Sequence, residues 1–189
     1  MSNNPKPGSV EPAPPITTLT QTQWSRPEYT LPSPSLTFLF HLECDMSTFH
    51  HIGPGPHGNR STVIFKGGRF EGPRLRGEIL AGGGDWEIVQ NHTDDGVEMQ
   101  TAHLDTRYNL QTHDGAVIYL QTRGTRTGRR EVLERLGDDE GIKADEFRMR
   151  LTLKMETGDE RYRWINTGVF VASSGRSGDR VIYDAYQLL

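Results

Sequence analysis

The sequence predicts an all-β protein, an antiparallel closed β-barrel of about eight to ten strands with one short helix. Three observations lead there. Apolar and polar side chains alternate with a period of two from Leu36 onward, clusters of Gly, Pro, Asn and Asp break the chain at short intervals, and no strand–helix–strand alternation occurs. Closure is expected because strands this long would otherwise leave open edges, and the 21 glycines suit the bends of a small barrel.

The elements follow in order. Eight of the 11 prolines (Pro5, Pro7, Pro12, Pro14, Pro15, Pro27, Pro32 and Pro34) precede Leu36. Proline removes backbone donors, so residues 1–35 are expected to form a disordered arm, with Trp24 and Tyr29 as its only aromatics. The barrel domain is expected over 36–189. Leu36, Phe38, Phe40, Leu42 and Cys44 fall on one strand face, opposite His41, Glu43 and Asp45. IGPGPHGNR reads as a loop, STVIFK as a short strand, and RLRGEIL and DWEIVQ as strands flanking the turn AGGG. NHTDDG reads as a loop before a long strand from about Val97 to Thr112, and HDG as a hairpin turn into AVIYLQTRGTR. The helix signal is RREVLERL, with Val132, Leu133 and Leu136 on one face and Gly137 as a stop. FRMRLTLKM alternates cleanly, TGDERY turns the chain into the strand RWINTGVFVA, and VIYDAYQLL ends it.

Bulk properties exclude several classes. A formal charge of −4 over 189 residues gives no general attraction to nucleic acid or anionic membrane. A single cysteine, Cys44, rules out a disulfide framework and fits a reducing, cytoplasmic setting. No apolar run approaches the ~20 residues of a membrane span, and the first residues carry no apolar signal core. The sequons at Asn59 and Asn91 are therefore read as chance matches.

Three blocks, GGRFEGPRLRGEILAGGGDW, LDTRYNLQTHDGAVIYLQTRGTR and METGDERYRWINTGVFV, together with EVLERL, resemble the domain-of-unknown-function 3237 family from about Leu36 to Leu189. The resemblance implies a small β-barrel with a central cavity, similar in outline to allene oxide cyclase and dirigent barrels. Some fungal barrels of this general kind act as cofactor-free cyclases in secondary metabolism.

Candidate chemistry lies on several strands. Asp105 and Arg107 share a face with His103; turned inward they give a cavity a carboxylate held by a guanidinium, and turned outward they form a solvated ion pair of little worth. Asp85 and Trp86 follow three glycines. A carboxyl partly desolvated beside an indole suits a general acid, although Asp also commonly binds the backbone of such a turn. On a strand reading, Trp164 and Asn166 share a face with Tyr162 and Phe170, a mixture typical of ligand sites, with core packing the alternative for Phe170. Tyr119 and Arg123 share another face, and Arg148 lies opposite a wholly apolar one. His41, His50, His51 and His57 lie near Cys44 and Asp45 but match no metal-ligand spacing, so no metal is expected. GPGPHG fits G-x-G-x-x-G in letters only, because its prolines remove the amides a pyrophosphate needs.

These readings lead to a cofactor-independent cyclase or isomerase that shapes a small hydrophobic, oxygenated substrate in the barrel. Asp85 passes a proton, and Arg107 and Asn166 polarise a carbonyl. Trp86, Asp105, Tyr119, Arg123, Arg148, Trp164 and Phe170 are the expected lining. A small-molecule carrier without turnover is the alternative. A homodimer is expected because the apolar faces of FRMRLTLKM and VIYDAYQLL exceed what one helix can cover; no nucleic-acid or membrane partner is expected.

Overall fold

The computed structural model describes residues 31–189. Most of the Pro-rich arm expected over 1–35, with Trp24 and Tyr29, lies outside the described residues; 31–35 are exposed and irregular. Ten strands follow: β1 (Leu36–Gly55), β2 (Gly58–Glu71), β3 (Arg76–Ile79), β4 (Gly84–Asp85), β5 (Ile88–Asp94), β6 (Val97–Thr112), β7 (Val117–Arg129), β8 (Arg148–Glu156), β9 (Val169–Ser177) and β10 (Arg180–Leu188). All pair antiparallel. β3, β4 and β5 lie one after another between β2 and β6, as three pieces of one interrupted strand. β1 pairs with both β2 and β10, which closes the sheet into a ring of eight. At the seam Ser35 and Leu189 exchange two backbone hydrogen bonds, each 2.9 Å.

Alternation decides which side chains enter the ring. In β6 the even-numbered residues from Gln100 to Thr112 are buried, and in β8 Met149, Leu151, Leu153 and Met155 are. The apolar face of FRMRLTLKM is thus covered by the ring itself, and Tyr183 and Ala185 of the last strand point in with it. The FRMRLTLKM face therefore gives no argument for a dimer, while Leu188 and Leu189 of the tail stay exposed.

The registers split the interior in two. Toward the start of β1 and the end of β6 it is packed with Leu39, Phe40, Phe70, Leu110, Ile118, Leu120 and Phe170. Each such side chain contributes about 1.5–3 kcal/mol on burial. This half is plugged by a 3₁₀ helix, Glu160–Thr167, through Tyr162 and Ile165. The opposite half is polar and is taken up below.

Three local expectations are corrected. IGPGPHGNR is no loop: β1 and β2 stay paired out to Gly55 and Gly58, with Pro54 opposite Asn59, because irregularities such as that between His51 and Gly53 absorb the residues that cannot join a regular ladder. NHTDDG is mostly strand, and its turn is only Asp95-Gly96, both at positive φ (47° and 76°), the hairpin geometry Asp-Gly favours. RWINTG is helical rather than extended, because Asp159 caps it by accepting from Arg161 N at 3.0 Å. The RREVLERL helix is short: α1 covers Arg130–Leu133, after which turns bring Leu136 into the core. No helix among the described residues is long and apolar enough to cross a membrane.

Candidate functional site

The polar half of the interior is built around the break in the strand between β2 and β6. The turn AGGG brings β4 between them at close range. A Cβ on Gly83 would overlap the Tyr108 side chain, and one on Gly84 would stand 2.6 Å from the Val63 carbonyl oxygen. Glycine alone permits this approach. The next residue, Asp85, turns inward and is 9% exposed. Its Oδ1 accepts the Asp105 backbone N–H at 3.0 Å, while Trp86 N donates to Asp105 O at 3.1 Å.

Asp85 shares a small cavity with Glu87, Arg126, Arg176, Tyr108 and Tyr183. Glu87 and Arg126 are both about 7% exposed and pair through one contact, Nη2 to Oε2 at 3.5 Å. Tyr108 and Tyr183 reach across the ring from β6 and β10 and join hydroxyl to hydroxyl at 2.8 Å. Thr106 and Thr122 join in the same way at 2.7 Å. Apolar walls come from Met46, Val63, Phe65, Leu104, Met149 and Leu151. The enclosed volume is about 30 Å³. That is room for about one or two waters or a group of two or three heavy atoms, against the ~300–1,000 Å³ of an ordinary small-molecule pocket. Among its lining residues, Arg176 and Val181 are the two that keep appreciable exposure, so the approach from solvent lies beside the β9–β10 turn.

Electrostatics here are set by burial. Loss of water, and then the neighbouring Glu87 charge, push the Asp85 carboxyl up to about 7, against the pull of the Asp105 N–H and of Arg126. Burial likewise raises both tyrosine hydroxyls and pushes the Cys44 thiol to about 12, which leaves the thiol unreactive. Burial, followed by the Arg126 charge, weakens the hold of Arg176 on its proton.

Of the residues the sequence suggested, Asp85 reaches this cavity. Arg107 does not, since it pairs with Gly84 from the outer face of β6. Asp105, Arg107 and Arg123 form an exterior cluster instead, with Arg123 Nε at 3.2 Å and Gln121 Nε2 at 2.9 Å from Asp105 Oδ1. The reason is parity: the apolar residues Ala102, Leu104, Tyr108 and Leu110 claim the inner face of β6, and His103, Asp105 and Arg107 take the other. Tyr119 and Arg148 are outside for the same reason. Asn166 is exposed and clamps the turn before its helix: its Oδ1 accepts Thr157 N and its Nδ2 donates to Thr157 O, each at 2.9 Å. Trp164 packs on Phe170 (6.5 Å between centroids) under the Arg74 guanidinium at 3.6 Å, and Phe170 is core. Trp86 is 41% exposed. No group of three or more His, Cys, Asp or Glu among the described residues is placed to hold a metal ion.

The sequence reading passed over Glu87, Arg126, Tyr108, Tyr183 and Arg176. Parity would have found Arg126, which follows Ile118, Leu120 and Thr122 at even spacing, although it sits in a basic run that reads as solvated. Tyr108 had the same signal, but nothing in the sequence joins it to Tyr183, 75 residues away.

A family model described as "Protein of unknown function (DUF3237)" matches residues 34–188. A UPF0311 protein of Rhodopseudomonas palustris (strain TIE-1) is 30% identical over 145 residues, covering 77% of this chain and 88% of its own. A solved beta-barrel like protein from Acinetobacter baumannii AYE is 38% identical with a TM-score of 0.71, covering 85% of this chain and 99% of that one. An enzyme from Penicillium herquei shares the fold at a TM-score of 0.53 and 17% identity, over 85% of this chain and 98% of that one.

Proposed function

Since the chain belongs to the DUF3237 family, we propose that it is a cofactor-independent isomerase or cyclase, whose interior carboxyl, Asp85, moves a proton on a small oxygenated molecule. The observation that carries this reading is the convergence of Asp85 and the Tyr108–Tyr183 hydroxyl pair on one cavity with apolar walls. Desolvating a carboxyl is expensive, and accepting the Asp105 N–H uses only one of its two oxygens. Only the reactive end of a substrate fits the enclosed space, and the remainder lies toward Arg176 and Val181. The same volume counts against a carrier that encloses a whole ligand.

In this reading protonated Asp85 donates to the substrate's carbonyl oxygen or double bond and recovers a proton from a neighbouring carbon. The tyrosine hydroxyls orient the oxygen. A carboxyl that titrates near 7 is half protonated at neutral pH, which suits both halves of that exchange. An enzyme from Penicillium herquei is built on the same fold, which supports the reading at the level of the scaffold.

The test is proton exchange in heavy water with a panel of enolisable ketones, unsaturated acids and lactones, followed by NMR. Deuterium should enter at carbon, more slowly as pH rises through about 7. Asp85→Asn should lower the rate ~100-fold or more and leave binding at pH 6 within about threefold, since it removes the proton carrier and keeps the shape. Equal rates for Asp85→Asn and the unmodified protein would remove the reading.

A further inference from the structure

The charges inside the ring do not balance. Arg126 and Arg176 line the same cavity, and one carboxylate, Glu87, acts on both. Its single 3.5 Å contact to Arg126 uses one of five guanidinium donors. Among the described residues Arg126 Nε is buried and has no hydrogen-bond partner. Arg176 donates Nε to Gly178 O at 2.9 Å, and no carboxylate among the described residues lies within ion-pair distance of it. Asp138 and Asp179 act on it only from farther off. A buried arginine with an unused donor, next to a second arginine at the way in, is a site for two or three oxygens that carry negative charge.

We propose that the cavity takes its ligand as an anion, a carboxylate or similar oxyanion held between Arg126 and Arg176, and that the anion enters together with a proton on Asp85. The inference rests on the proposed function only for the identity of the site. The proton coupling follows from the neighbours of Asp85. Glu87 beside it and Asp105 on β6 repel its charge, Arg126 on β7 attracts it, and Tyr108 on β6 is neutral. With Asp85 protonated, two guanidiniums face one carboxylate and an anion makes the interior neutral. With Asp85 ionised the interior is already neutral, and an anion adds an unpaired negative charge to a dry space. The substrate class is thus a small carboxylic acid or comparably acidic molecule.

The full chain, ¹⁵N-labelled in chloride-free buffer, is titrated with acetate and with its neutral counterpart acetamide while the Arg126 Nε–Hε resonance is followed. Arg126→Lys assigns that resonance by deleting it. Acetate should shift it saturably and acetamide should not. Acetate affinity should fall about tenfold between pH 6 and pH 8, as a carboxyl that titrates near 7 in the free protein and is protonated in the complex requires. Asp85→Asn, which stays neutral, should keep the pH 6 affinity at pH 8, and Arg176→Met should weaken binding at least tenfold at both. Equal responses to the two probes, a shift confined to outer arginines such as Arg107 and Arg123, or an affinity that does not change with pH would each overturn the proposal. Acetate binding without deuterium exchange on any substrate keeps this inference and removes the enzymatic reading; exchange on neutral substrates without acetate binding does the reverse.

Discussion

Asp85 makes the interior chemistry and the stability of the fold depend on the same proton. Its carboxyl is raised to about 7 mainly by burial, so the folded chain holds the proton more tightly than the unfolded chain does. The stabilisation linked to that proton is complete below the ordinary carboxylate range and is lost as pH rises through about 7. Its size is on the order of a few kcal/mol. Melting temperatures measured from pH 5 to pH 8 should therefore fall for the unmodified protein more than for Asp85→Asn, whose amide oxygen can still accept the Asp105 N–H; parallel curves would show that Asp85 titrates like a surface carboxyl. Asp85 itself was legible in the sequence because three glycines announce a close approach and the carboxyl follows them directly. Its partners were not. Arg126 sits in a run rich in arginine, and a basic run reads as solvated unless its parity is traced back to Ile118 and Leu120. Arg107 misled for the opposite reason: beside Asp105 it makes an attractive pair, and the pair is the outer face of a strand whose inner face is apolar.

Among the elements, the 3₁₀ helix shows how one capping residue outweighs local alternation. Tyr162, Trp164 and Asn166 are spaced as a strand would space them, and Asp159 ends that pattern by accepting from both the backbone and the side chain of Arg161. The helix is then tied to the β6–β7 turn: Arg161 Nη1 donates to Asp114 Oδ2 at 2.9 Å, and the Tyr162 hydroxyl donates to the same carboxylate at 3.0 Å. Asn166 holds the other side of the turn on Thr157. Asn166→Ala should lower stability by about 1–2 kcal/mol, as two exposed side chain–backbone hydrogen bonds are lost. Acetate binding at the far half of the ring should be unchanged. A loss of acetate affinity with stability intact, read by denaturant melts beside the NMR titration, would mean that Asn166 belongs to the site after all. Strand existence was readable from the period-two pattern in β1, β6, β7, β8 and β10. The long β1–β2 pairing was not, because Pro54, Pro56 and the glycines Gly53, Gly55 and Gly58 look like a loop, and only the paired partner strand reveals that bulges accommodate them.

At the scale of the whole molecule, the interior has a division of labour: one half is packed aliphatic and aromatic core, and the other holds a carboxyl, an ion pair and two tyrosines. Closure makes this tolerable, since a ring without free edges keeps its backbone paired while the polar half departs from ideal packing. β1 is the keystone, bonded to its neighbour in sequence and to the last strand as well. The paired backbones of Ser35 and Leu189 at that seam have a further consequence. Where the first and last paired residues of the ring already touch, a peptide link between them changes little, and the cut can be moved elsewhere. A circular permutant that joins Leu189 to Ser35 through a short Gly-Ser linker and opens the chain at Asp95-Gly96 should melt cooperatively within a few degrees of a chain starting at Ser35. Failure to fold would show that the order of synthesis matters to the assembly of the ring. Success would mean that the strands specify their neighbours by fit alone, whichever of them leaves the ribosome first.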